Sequence, residues 1–235
     1  MITRRTNLLI LTASLPLEAQ LKGIFERLSG KSGGGQNTSG IKEALMIGLS
    51  NAVGFASKPD GYFANALIKI LLPEKLRPVE KGLRMVGGSK LIDDFVLGMN
   101  RAAENAAPIG KDIFTGAIKK MSITDAVQIL RGGDTAATDF FRKTTGPALV
   151  AAFRPPVTES MKSVCAMQSY QNMMGRFKII PFMTTDAIDI EGYVTGKAVD
   201  GLFHLVGQEE KQIRTNPVAR VTPLLKEVFG SLGGG

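Results

Sequence analysis

The sequence predicts an all-α protein, a single domain built of many short amphipathic helices. Apolar residues recur at helical spacing through most of residues 41–230. Helix start and stop signals follow one another closely, above all in Lys119 to Pro155, KKMSITDAVQILRGGDTAATDFFRKTTGPALVAAFRP. No strand–helix–strand rhythm is present, and extended chain is expected only in minor pieces near 67–72 (LIKILL) and 179–182 (IIPF).

Residues 1–19 read as a secretory signal. Arg4 and Arg5 precede the apolar run LLILTASLPL, and Leu17-Glu18-Ala19 offers an imperfect cleavage site. The run is too short for a bilayer span, and no Cys follows it to carry a lipid. The other reading is an amphipathic helix, LPLEAQLKGIFERL. Residues 20–40 then hold an N-terminal helix and a Gly/Ser-rich linker, SGKSGGGQNTSG. Its Gly-Lys-Ser is no phosphate loop, because Phe25 stands where a glycine is required and no strand precedes it.

The helical domain is placed at 41–230. Ile41, Ala44, Leu45, Gly48, Leu49, Ala52 and Val53 share one helical face, and Lys58-Pro59-Asp60-Gly61 is a turn. Pro73 is expected at the first position of the next helix, with Leu76, Val79, Leu83 and Val86 on one side. Gly87-Gly88-Ser89 stops that helix and caps another over 90–106, where Leu91, Ile92, Phe95, Val96, Met99, Ala102, Ala103 and Ala106 form one arc. After Pro108 the apolar positions are Ile109, Ile113, Ala117 and Met121. Ser122 caps a helix and Asp125 completes the capping box, with Ile123, Ala126, Val127 and Leu130 inward.

Gly132-Gly133 ends that helix, one of the two at positive φ, and Asp134 caps the next. Gly146-Pro147 restarts the chain and Arg154-Pro155-Pro156 stops it, leaving Val157, Met161 and Val164 for one short helix and Met167, Tyr170, Met173 and Met174 for another. The last large element runs from Asp189 to Arg214, with Glu210 and Arg214 as a favourable i,i+4 pair. Thr222-Pro223 opens a final helix that Gly230 ends, and 231–235 is a loose tail.

Of the 235 residues, 44% are hydrophobic, enough for one sizeable core. Few aromatics, no Trp and ten Met suggest an aliphatic core with methionine filling the gaps. The net charge of +8 is spread along the chain; it reads as a solubility feature, with non-specific attraction to anionic lipid, polyanion or nucleic acid as the other reading. The single Cys165 excludes an internal disulfide. Its catalytic use would need a histidine, and the sole one, His204, lies in another segment.

Several polar groupings are candidate sites. Asn100, Arg101 and Glu104 share one face and form either a solvated salt-bridged surface or a polar ligand site. Asp134, Thr138 and Asp139 follow the two glycines, as caps or beside an anion site at free N–H groups. Asp200 and His204 are one turn apart but have no nucleophile at a set distance. Asp93-Asp94 and Glu209-Glu210 are adjacent pairs that diverge on a helix, a poor metal or acid–base arrangement. Arg214, Arg220 and Lys226 are a basic patch without interleaved aromatics, which argues against nucleic acid. No catalytic set, cofactor motif or metal-ligand cluster emerges.

Four segments, DGYFANALIKILLPEKLRPVEKGLR, MNRAAENAAP, IFTGAIKKMSITDAVQILRGGDTAATDFFRKTT and YVTGKAVDGLFHLVGQEEKQIRTNPVARVTPLLKEVFG, resemble in order a bacterial domain-of-unknown-function family, number forty-one ninety-seven. The resemblance covers about Ile41 to Gly230. It implies a helical, exported protein and carries no activity; many members begin with a signal peptide or a lipoprotein start, and this chain departs from the latter in lacking the lipid-bearing Cys. The expectation is a periplasmic or cell-envelope protein that binds a protein partner or an amphipathic ligand. A hydrolase-type enzyme using Arg101, Glu104 and Asp139 is the alternative. Partner identity and oligomeric state are open.

Overall fold

A computed structural model of the chain describes residues 35–163, 166–177 and 188–215. The chain divides into two units, Met1–Asn37 and Thr38–Gly235, and all described residues beyond the first turn of the opening helix belong to the second. The elements are α1 Gly35–Ala56, a 3-10 turn Glu74–Leu76, α2 Arg77–Met85, α3 Ser89–Ala106, a 3-10 turn Ala107–Ile109, α4 Gly110–Lys120, α5 Ile123–Arg131, α6 Ala136–Ser163, α7 Ala166–Phe177 and α8 Ile190–Thr215. The all-α expectation holds, and no strand occurs among the described residues. The signal-like segment, Cys165, the 179–182 run, Arg220, Lys226 and the 222–230 helix lie outside the described residues.

Helix α3 is the hub. It packs on α6, α7 and α8, while α6 and α8 make the most extensive helix pair. Its inward arc is as the spacing requires, with Ile92, Phe95, Met99, Ala102, Ala103 and Ala106 fully buried. Small residues elsewhere permit close approach. A Cβ on Gly110 would stand 2.9 Å from Leu202, and one on Gly201 2.6 Å from the Tyr62 ring.

The core is more aromatic than the composition suggested. Phe95, Phe114, Phe141, Phe153 and Phe203 are among its largest fully buried side chains. Phe114 meets Phe141 and Phe203 edge-on, with centroids 5.8 and 5.9 Å apart. Scarce aromatics are concentrated where they exclude the most water.

Several local expectations change. Six residues of the Gly/Ser-rich segment, 35–40, belong to α1. Pro73 precedes a 3-10 turn, and Pro78 is the proline inside the first turn of α2. Val86 is exposed, because it lies past the end of α2, where Gly87 at φ 81° and Gly88 bond back to Arg84 and Leu83. Gly88 rather than Ser89 is the N-cap of α3. In α4 the buried stripe is Phe114 and Ile118, with Ile109, Ile113 and Ala117 at its margin. In α5 it is Ala126 and Ile129, and Ile123 is exposed.

The Ser122–Asp125 capping box forms as expected. The Asp125 amide donates to Ser122 Oγ at 3.1 Å, and Ser122 N–H and O–H both donate to the carboxylate. These donors hold the Asp125 carboxyl below the usual range.

The largest difference is α6. Pro147, Pro155 and Pro156 neither restart nor stop the chain; one helix runs through them for 28 residues. Ala137, Phe141, Thr145, Leu149, Phe153, Val157 and Met161 are buried along it at four-residue intervals. Packing of that stripe on α3 and α8 outweighs the hydrogen bonds the prolines delete.

Candidate functional site

Two buried carboxylates and one buried amide organise the polar groups. In α3, Asn100 is 0% and Glu104 2% exposed, so the face read as solvated or ligand-binding is interior. Asn100 grips the chain before α2: its Oδ1 accepts from Ile70 N–H and its Nδ2 donates to Ile70 C=O, both at 2.8 Å. Glu104 Oε1 accepts from the backbone N–H groups of Tyr62 and Phe63, each at 3.1 Å. Arg101 lies across the rim, donating to Glu104 Oε2 and to Asp60 Oδ1 at 2.6 Å each. The three residues therefore hold residues 60–70 of their own chain.

The second carboxylate is Glu210 of α8. The Ala137 and Thr138 amides and the Thr138 hydroxyl donate to it at 2.8–2.9 Å, so it caps α6 from another helix. Arg214 donates to Glu210 Oε1 from Nε and Nη2. It also donates to Ile129 C=O at 2.7 Å. The i,i+4 pair is real, and Arg214 is internal rather than part of an exposed basic patch.

This arrangement corrects the reading of the turn before α6. Asp134 is exposed and makes no capping hydrogen bond among the described residues. Thr135 precedes the helix, and its hydroxyl donates to Asp139 at 2.9 Å. Neither glycine before it has a positive φ; Gly132 is extended at φ −75°. A glycine is required at 132 by crowding, since a Cβ there would lie 2.5 Å from Ala136 Cβ.

Asp134, Thr138 and Asp139 do line an open cleft of about 940 Å³ between the start of α6, the end of α1 and α8. Phe55, Leu67, Arg142, Phe203 and His204 stand on its walls as well. A second cleft of about 480 Å³ shares Leu67 and His204 with it and runs beside residues 67–72 to Arg77, Tyr193 and Lys197. His204 faces Gln208, its ring nitrogen 3.2 Å from the amide, and Asp200 is paired with Arg142 rather than with the histidine.

Arg101 and Glu104 line neither cleft, so the structure does not bring them together with Asp139. No group of three or more His, Cys, Asp or Glu residues suited to a metal occurs among the described residues. No described helix is long and apolar enough to cross a membrane.

Sequence reasoning allowed an apolar groove between short helices but did not place these two clefts. The one available signal was LIKILL, an apolar run too short for a helix. Ile68, Ile70 and Leu72 are buried, whereas Leu67 and Leu71 are 68% and 57% exposed. From Lys69 to Leu72 the alternation is that of extended chain. Residues 66–68 lie instead in a turn, in which the Ile68 and Lys69 amides donate to Asn65 C=O at 3.2 and 2.8 Å, so the extended piece expected at 67–72 begins at Lys69. Residues 69–73 carry no regular structure, and Asn100 supplies the bonds a neighbouring strand would supply.

The fold defines a class, an all-helical protein with one hydrophobic core and open clefts on its surface. The chain belongs to the family described as protein of unknown function DUF4197, whose model matches residues 32–230. No curated protein and no solved structure matches the chain.

Proposed function

We propose that this chain is an exported, non-enzymatic protein of the bacterial cell envelope that binds a protein partner along the joined clefts. The observation that carries the reading is the placing of Phe55, Leu67 and Leu71, large apolar side chains left exposed, on the walls of two clefts that share Leu67 and His204. Apolar side chains scattered singly need no explanation, but a contiguous set rimmed by charge marks an interaction surface. The wall is held in shape before any partner arrives, since Asn100 and Glu104 clamp the segment that presents Leu67 and Leu71.

Export is supported by Arg4-Arg5, the apolar run after them and the cleavage-like Leu17-Glu18-Ala19. N-terminal sequencing of the envelope fraction should begin near Gln20; Met1 retained in a cytoplasmic fraction refutes export. Binding is tested with a photo-reactive residue at Leu67, compared with one at the exposed Val150 of α6. A defined adduct from position 67 and none from 150 supports the reading. A clean apo mass in native mass spectrometry of envelope-purified protein, with equal or no cross-linking at both positions, refutes it. An amphipathic small ligand in place of a protein would appear in the same spectrum as a discrete added mass.

A further inference from the structure

We infer that the edge at Lys69–Leu71 is a docking strip for an extended, acidic peptide segment of the partner, paired main chain to main chain. The inference rests on the cleft reading above and adds the mode of binding and the partner's chemistry.

In extended chain, successive backbone N–H and C=O pairs point to opposite edges. Asn100 takes both groups of Ile70 on the inner edge. The groups of Lys69 and Leu71 therefore belong to the outer edge. There, Lys69 N–H donates to Asn65 C=O and Leu71 C=O accepts from Tyr193 Oη. Lys69 C=O and Leu71 N–H have no hydrogen-bond partner among the described residues. An acceptor and a donor on either side of one residue are what a parallel neighbouring strand reads, with one partner residue supplying both complements.

Charge selects the occupant. The carboxylates on this cleft are engaged, Glu74 by Arg77 at 2.6 Å and Asp200 by Arg142 at 3.0 Å. Lys69 and Lys197 line the same cleft and have no carboxylate partner among the described residues; each lies over a ring instead, of Phe63 and Tyr193. Unpaired ammonium groups beside Leu67 and Leu71 fit a strand that alternates apolar and acidic side chains. The open pair runs from Lys69 C=O to Leu71 N–H, bounded by the Asn65 turn on one side and Tyr193 Oη on the other, so a single partner residue makes both bonds.

The test uses the full chain, isotope-labelled for amide NMR, and three short synthetic peptides. One alternates valine and glutamate, one valine and lysine, and one is the first with alternate backbone amides methylated. The acidic peptide is expected to shift the Lys69–Leu72 amides and to slow exchange of Leu71 N–H. The basic and methylated peptides should bind about tenfold more weakly, through lost charge and lost hydrogen bonds. Lys197→Glu leaves one lysine against one glutamate on the cleft and should abolish the charge preference without moving the urea midpoint. Equal binding of the methylated peptide overturns main-chain pairing and leaves the cleft reading standing. Equal binding of acidic and basic peptides overturns the partner chemistry. No shift from any peptide at millimolar concentration, with Leu67- and Lys197-dependent sedimentation on phosphatidylglycerol vesicles, overturns the inference in favour of a lipid surface. Without that sedimentation it is overturned outright, and cross-linking from position 67 still judges the broader reading separately.

Discussion

Glu210 shows how one side chain joins two helices. It satisfies two backbone amides and a hydroxyl at the start of α6 and faces Arg214 within its own helix. Glu210→Ala leaves those buried donors without an acceptor and removes the charge opposite Arg214. The expected loss is about 3–5 kcal/mol, read as a lowered urea midpoint, because removing one partner of a buried pair costs far more than the pair contributes net. The adjacent glycines make a sharper comparison. Gly132→Ala drives a Cβ against Ala136 and should cost about 1–3 kcal/mol. Gly133→Ala meets nothing within 4 Å and has no positive φ to strain, so it should stay within about 0.5 kcal/mol of the parent. Equal effects of the two substitutions would show that crowding against Ala136 does not govern this turn.

Helix α6 illustrates competition between propensity and burial. Three prolines read locally as punctuation, and each deletes a helical N–H donor. Thr144 and Thr145 donate their hydroxyls to Phe140 and Phe141 C=O at 2.8 and 2.5 Å, supplementing the ladder just before Pro147. Since Pro147 is exposed and sits inside a continuous helix, Pro147→Ala should restore a bond and relieve the ring clash. A gain of about 1 kcal/mol is expected in urea unfolding, after allowing for the greater freedom of the unfolded chain. A loss would indicate that the proline's geometry is required for α6 to pack. The 57–73 segment is the opposite case. It forms no regular element, yet Asn100, Glu104, Tyr62 Oη on Ala198 C=O and Tyr193 Oη on Leu71 C=O hold it in place.

For the molecule as a whole, alkaline stability is a global readout of these tyrosines. Burial, with the Glu104 charge added, pushes the Tyr62 phenol far above its ordinary range. Burial also raises Tyr170, and burial and Glu74 raise Tyr193. These are all three tyrosines of the chain. Raised folded-state values mean that the unfolded chain loses phenolic protons first. The stability they contribute is fully present below about pH 10 and falls as pH rises beyond it. Phenolate absorbance should therefore rise at higher pH in the native protein than in urea, and the urea midpoint should drop above about pH 10. Coincident titration curves would show the tyrosines to be solvated.

The helical class, the inward arc of α3, the Ser122 capping box and the Glu210–Arg214 spacing were legible in the chain, because each depends on residues within one or two turns of one another. Family membership was legible as well, from four segments in order. Burial of Asn100 and Glu104 was not, since a polar residue on a helix face looks the same whether water or a backbone amide 30 to 42 residues away meets it. The cap on α6 comes from a residue 72 or 73 positions distant, so local sequence pointed to Asp134 instead. Continuity through the prolines of α6 depends on α3 and α8 covering its stripe. The cleft exists only where the end of α1, the 67–72 segment, α6 and α8 meet. Short-range hydrogen bonding and periodicity are written along the chain; partners for buried polar groups, and the surfaces left uncovered, are set when distant segments pack.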